Sequence, residues 1–187
     1  MANVNNANGL TPAWGLTGGY PGRIDRFYTT DATAIYVGGL VKPAGTSDAN
    51  GVMEVTGNVA TGADVLGVVV GVEMETRDSL LYKAASTNRY VYVCTDPNMI
   101  YEVQENGTGA ATDAGNVCDL TGFTSGSTST GRSAIQISST AKSAGGDGSE
   151  DVVMIGLVQR PNNAFGANAR WLVKLNNSYW KDSSVGA

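Results

Sequence analysis

The residues that could do chemistry are few and poorly placed for it. Glu73 and Glu75 follow the longest apolar run. Two carboxylates are the working pair of a glycoside hydrolase, but here the ordinary reading is a strand end that meets solvent. Asp147-Gly-Ser-Glu150-Asp151 offers three carboxylates from one turn, the ligand type that a hard cation such as Ca²⁺ requires. The spaced pattern of a calcium loop is absent, so a solvated acidic loop is the stronger reading. Cys94 and Cys118 are the only cysteines. They are two ligands short of a structural zinc site and too few for a disulfide framework. Both are expected to be reduced, though the spacing leaves a bond between them open. There is no histidine, which removes His-based triads, most zinc enzymes and His-ligated haem. No phosphate-binding Gly-x-x-x-x-Gly-Lys-Ser/Thr loop occurs, and no Gly-x-Ser-x-Gly elbow opens a helix. Hence no catalytic residue, cofactor or metal is expected.

Charge and length narrow the class further. Lys+Arg number 12 against 17 Asp+Glu, for a net charge of −5 and a pI near 4.6. A general nucleic-acid binder needs a basic footprint, so no nucleic-acid partner is expected. The apolar run Val65 to Val72 is too short to span a membrane and reads as a buried strand. The Asn-rich start, Met1 to Leu10, has neither a basic nor an apolar leader region, so no signal peptide is expected. On that ground the tripeptides Asn106-Gly-Thr108 and Asn176-Asn-Ser178 are taken as chance matches to a glycosylation site. A chain of 187 residues fits one domain, alone or with arms.

The elements are almost all strands. Ile24, Arg26 and Tyr28 alternate with Asp25, Phe27 and Thr29, and Val52 to Thr56 alternates likewise. Ile35 to Val41 is β-rich but broken by Gly38 and Gly39. Val65 to Met74 is rich in β-branched residues, and its Gly67 and Gly71 suggest bulges or close backbone approach. Arg89 to Thr95 and Met99 to Gln104, joined by Asp96-Pro97-Asn98, read as a hairpin. Tyr90, Tyr92 and Tyr101 lie in these strands, as core or cross-strand residues rather than a stacking platform. Further strands are expected over Asn116–Leu120, Ala134–Ser139, Val152–Arg160 and Arg170–Asn176. Arg77 to Ala85 could form a short helix, but its apolar residues do not space cleanly at 3.6. Thr121 to Gly131 and Ser143 to Asp151 are Gly/Ser/Thr loops. About ten short strands joined by Gly-rich turns predict an all-β fold, a compact β-barrel or jelly-roll-like sandwich.

The first 22 residues carry no charged side chain and are rich in glycine, proline and asparagine. They lack strand alternation and cannot be a regular helix. Trp14 and Tyr20 favour an arm that orders against a partner or the domain over a disordered tail. The expected organisation is an N-terminal arm (residues 1–22), one β domain (23–178) and a C-terminal tail (179–187).

Several blocks together resemble the capsid decoration, or cement, proteins of tailed-bacteriophage heads. They are Met1-Ala-Asn-Val-Asn with Gly9-Leu-Thr-Pro12, Ala34-Ile-Tyr-Val-Gly-Gly-Leu-Val41, and Leu66-Gly-Val-Val-Val-Gly-Val72. Ala85-Ser-Thr-Asn-Arg-Tyr-Val-Tyr-Val93 and Asp96-Pro97 follow. The closest block is Gly156-Leu-Val-Gln-Arg-Pro-Asn-Asn163, running through Gly166-Ala-Asn-Ala-Arg-Trp171 to Asn176. The family often has Asp where Gly39 stands, so no role for that Asp carries over. Thr121 to Gly131 has no counterpart.

The resemblance implies a structural virion protein, not an enzyme, made in the host cytoplasm and bound outside an assembled capsid. Its partners would be the major capsid protein and itself, as a homotrimer or alternatively a homodimer, with no nucleic acid and no membrane. Trp14, Leu16, Tyr20 and Arg23 are the candidate capsid-contact residues. The alternative is a β-sandwich binding module for carbohydrate, with Trp171 and Trp180 as candidate platforms, although Trp171 reads as a strand core residue.

Overall fold

The computed structural model describes residues 3–16, 22–146 and 148–180. The protein is all-β, as predicted. In chain order the strands are β1 (Thr11–Gly15), β2 (Ile24–Thr29), β3 (Leu40–Ser47), β4 (Met53–Thr56), β5 (Gly67–Val72), β6 (Arg89–Cys94) and β7 (Met99–Gln104). They continue with β8 (Thr108–Gly109), β9 (Val117–Thr121), β10 (Gln136–Ser143), β11 (Val152–Leu157), β12 (Gly166–Ala167) and β13 (Arg170–Leu175). Among the described residues the one helical element is a 3-10 turn at Ala111–Asp113.

Two bodies are built from these strands. Strands β2-β4-β3-β5-β6 close into a barrel, and β1-β7-β13-β11-β9-β10 form a six-stranded sheet beside it. The apolar residues explain the arrangement. Val41, Val69 and Val93 join Phe27, Val55, Leu66 and Val91 inside the barrel. Their neighbours Leu40, Val68 and Cys94 point the other way, into a second core shared with Tyr101, Val103, Trp171 and Val173 of the sheet. Strands β3, β5 and β6 are therefore covered on both faces where these residues lie, at Leu40–Val41, Gly67–Val69 and Val93–Cys94. A strand buried on both faces reads as a continuous apolar run rather than an alternation, which accounts for Val65 to Val72. Gly67 is required within it, because a Cβ there would lie 2.0 Å from the Cys94 carbonyl oxygen.

Two expectations need correction. The turn at Asp96–Asn98 exists, with Asn98 N–H donating to Asp96 Oδ1 at 2.8 Å, but β6 and β7 are not a hairpin. Strand β6 pairs with β2 and β5, whereas β7 pairs with β1 and β13. The chain crosses there from barrel to sheet, and alternation within a strand carries no information about its partner. In Ile35 to Val41 the strand begins only at Leu40, after Gly38 at φ +86°; Ile35 and Val37 make isolated bridges to Lys83 and Arg132. Arg77 to Ala85 is not a helix, in keeping with its uneven apolar spacing. It serves instead to bring Lys83 inside, where the ammonium donates to the carbonyls of Asp31 and Thr33.

The uncharged N-terminal segment contains a strand that its composition did not announce. Residues 3–15 lie on the chain's own body. The Asn3 amide donates to Ala164 O and Ala167 O at 2.8 and 2.9 Å, and Ala164 N–H returns a bond to Asn3 Oδ1. Leu10 is 1% exposed and belongs to the core between sheet and barrel. Strand β1 then forms the sheet's edge along β7, with a bulge between Pro12 and Trp14.

Candidate functional site

The chain passes between sheet and barrel twice at the same place. From β6 to β7 it crosses through residues 95–98; β1 ends in the sheet at Gly15 and β2 begins in the barrel at Ile24. Leu16 N–H donates to Asn98 O at 3.0 Å, and Thr95 N–H donates to Arg23 O at 2.9 Å. Gly22 (φ +76°) fits beside Asp96, where a Cβ would lie 3.2 Å from the Asp96 Cβ. The two crossings thus flank each other, and the sequence-predicted contact residues gather around them. Trp14 is 46% exposed, Leu16 60% and Ile24 40%. Arg23 is exposed and pairs with Asp25 at 2.7 Å, and Thr95 Oγ1 donates to the same Asp25 oxygen at 2.6 Å. Tyr20 lies outside the described residues.

Trp14 also begins a row of mostly apolar residues, interrupted by Lys174, across the outer face of the sheet. It stands opposite Ile100, Ile100 opposite Lys174, Lys174 opposite Val153, and Val153 opposite Val117. Directly opposed residues of antiparallel strands share a face. Ile100 is fully buried in this row, while Val153 and Val117 are half-buried and nearby Ile155 is exposed. The face opposite the core is therefore apolar in part, and its edge residue is Trp14.

The groups considered for catalysis are occupied by structural roles. Glu73 ion-pairs with Arg26 Nε at 2.6 Å. The Arg26 guanidinium lies 3.4 Å from the centre of the Tyr90 ring, and Tyr90 OH donates to Asp48 at 2.6 Å. Glu75 is exposed. The acidic cluster does not stay together in solvent: Asp151 turns inward, accepting from Leu120 N–H at 2.7 Å and Gly62 N–H at 2.9 Å. Burial pushes its carboxyl up despite those bonds. Asp147 lies outside the described residues, and among the described residues no group of His, Cys, Asp and Glu is disposed to hold a metal. Cys94 and Cys118 are not joined in a disulfide, and both are fully buried. Burial pushes the Cys118 thiol up to about 12. Trp171 is fully buried in the core, and Trp180 is exposed beside Tyr179 with ring centres 5.3 Å apart.

One constellation had no signal in the sequence. Arg132, Arg160 and Arg170 converge on a cleft that contains Glu102. Glu102 Oε1 accepts from both Arg160 and Arg170. The three arginines come from separate parts of the chain, so only the tertiary fold brings them together.

No family model matches the chain, and no curated protein matches it.

Proposed function

We propose that this chain is a structural virion protein that binds the outside of an assembled phage capsid and cements contacts between major capsid protein capsomers. The blockwise sequence resemblance suggests the reading. The observation that carries it is the set of exposed apolar residues Trp14, Leu16 and Ile24, held on strand ends where the chain crosses between its two bodies. Apolar side chains fixed on rigid elements bind a protein surface with little ordering cost. Many copies on a shell multiply a modest contact by avidity, and homotrimers on three-fold axes, or homodimers on two-folds, suit such a lattice.

The test is a Trp14→Ala/Leu16→Ala variant mixed with assembled shells lacking the protein. Neither side chain belongs to a buried core, Trp14 being 46% and Leu16 60% exposed, so the variant should fold. Cosedimentation should fall about tenfold or more if both side chains are seated in the contact. Unchanged binding by the folded variant removes this surface from the interface.

A second reading, a carbohydrate-binding module, is favoured by one feature: Tyr179 and Trp180 form an exposed, edge-to-face aromatic pair. Binding to a glycan array that disappears in Trp180→Ala would support it over cementing.

A further inference from the structure

The cleft around Glu102 has an unusual charge for this protein. Three guanidinium groups, from Arg132, Arg160 and Arg170, line a hollow of about 420 Å³ with one carboxylate among them. Two positive charges are left uncompensated there, on a chain whose net charge is −5. The arginines differ in how they are held. Arg170 is half-buried and fixed: its backbone N–H donates to Asn163 Oδ1 at 2.9 Å, its Nη2 to Asn6 O at 2.7 Å and its Nη1 to Glu102 at 3.2 Å. Arg160 shares the same Glu102 oxygen. Arg132 is exposed, and among the described residues its side chain meets no hydrogen-bond or ion-pair partner. Glu102 therefore aligns two forks, and a third faces the cleft unengaged.

The cleft is elongated. Past Arg160, Asn162 and Arg170 it continues into a second hollow of about 150 Å³ beside Asn3 and Asn6. One wall is the extended N-terminal segment. The lining offers arginine forks for carboxylates and, at Asn8 and Asn162, asparagine amides that can both donate to and accept from a peptide backbone. Two of its three arginines are exposed, so it does not enclose a small anion. Its length and polarity suit an extended occupant, in the manner of acidic-motif recognition by arginine clusters.

We infer that this groove is a docking site for an acidic peptide segment of a protein partner, with Arg132 and the Arg160–Arg170 pair each taking a carboxylate. The site does not depend on the capsid reading, because an acidic segment could belong to any partner.

The experiment uses the full chain and a fluorescein-labelled hexaglutamate peptide, followed by anisotropy at low salt. Saturable binding is expected. Arg132→Gln and Arg160→Gln should each weaken it about fivefold or more, as loss of a charge-assisted bond requires. Lys42→Gln removes the same charge from a barrel residue that does not line the cleft, and should stay within about twofold. Arg132 and Arg160 are exposed, and an unchanged melting midpoint establishes that their variants are folded. Absence of saturable binding overturns the proposal. Equal weakening by Lys42→Gln also overturns it, by reducing the effect to long-range attraction. Citrate or inorganic phosphate binding more tightly than the peptide, and displacing it, would make the groove a small-anion site and overturn the peptide assignment.

Discussion

Trp171 donates its indole N–H to Glu105 across 2.9 Å, and both side chains are fully shut off from solvent. The other Glu105 oxygen accepts from Lys142 at 2.8 Å, and Lys142 reaches on to Asp113 at 2.6 Å. Gly109 closes the arrangement: a Cβ there would lie 2.7 Å from Glu105 Oε2 and 2.9 Å from the indole ring. A buried carboxylate is thus matched by one lysine that spans two strands' worth of chain. Such a pair is poor evidence of net stabilisation, but breaking it strands a charge.

Lys142→Ala should therefore destabilise the fold by about 3–5 kcal/mol, the range for removing one partner of a buried pair. Chemical denaturation would read this directly. Lys142→Met together with Glu105→Gln removes the fully buried charge, leaving only Asp113 without its lysine, and should recover part of the loss. If the single and double variants are equally unstable, the network's charge matching is not what matters.

The acid side of the stability profile has opposing contributions. Burial would push the Asp31 carboxyl up, but hydrogen bonds from Thr33 N–H, the Thr56 hydroxyl and Gly57 N–H together outweigh it and hold it below its ordinary value. A depressed carboxyl contributes stability above its unfolded value, and that contribution is lost as pH falls through the folded value. Asp151 has the opposite sign: burial raises it, so its penalty is present at neutral pH and is relieved on protonation. Asp31→Ala should cost about 1–3 kcal/mol at neutral pH by orphaning its donors. The gap to the parent should narrow on acidification below about pH 4. A gap that is constant with pH would show that the Asp31 charge is irrelevant to the turn it holds.

Gly67 and Gly71 stand in the same strand but differ sharply in surroundings. A Cβ at Gly67 would meet the Cys94 carbonyl at 2.0 Å, whereas one at Gly71 would rest 3.7 Å from the Tyr92 ring. Gly67→Ala should lose stability at or beyond the upper end of the ~1–3 kcal/mol of overpacking. Gly71→Ala should change it by less than about 1 kcal/mol. Melting midpoints of the two variants separate these outcomes; equal effects would refute the close approach of β5 to β6.

Buried thiols should be silent. Cys94 and Cys118 are both fully buried, and burial raises both. Thiolate, the reactive form, is therefore scarce as well as inaccessible. Intact-mass measurement after iodoacetamide should show no adduct on native protein and two after unfolding. A labelled native species would mean that the sheet opens away from the barrel.

Sequence patterning revealed the strands far better than it revealed their partners. Alternation in Arg89 to Thr95 and the apolar run at Val65 to Val72 located β6 and β5, because burial on one or two faces leaves that mark. Pairing does not, so the β6–β7 crossing looked like a hairpin. Strand β1 was hidden for a different reason. Its five residues, Thr11 to Gly15, include a proline and a glycine, which an edge position with a bulge tolerates. The candidate contact residues Trp14 and Leu16 stood out as large apolar types in an uncharged segment, with Arg23 directly after it. The arginine cleft was not, since residues 132, 160 and 170 meet only in the tertiary fold, and Lys83 gave no hint that it would be buried.

The N-terminal segment divides into a part that stabilises the fold and a part free to make contacts, and substitutions can separate them. Leu10 is 1% exposed in the core, its N–H bonds Gly38 O at 2.9 Å, and Gly9 before it approaches Gly38 too closely for any Cβ. Leu10→Ala should therefore cost about 2–5 kcal/mol, as for a buried leucine elsewhere. Deletion of residues 1–10 removes that side chain together with the Asn3 and Asn6 clamps on Ala164 and Gln104, and should destabilise at least as much. Trp14→Ala and Leu16→Ala lie on the exposed side of the same segment and should each change stability by less than about 1 kcal/mol. Circular dichroism melts of these four variants provide the comparison. A truncation that melts like the parent would show that residues 3–10 merely rest on the surface. In that case the whole segment, and not only Trp14 and Leu16, would be available to a partner.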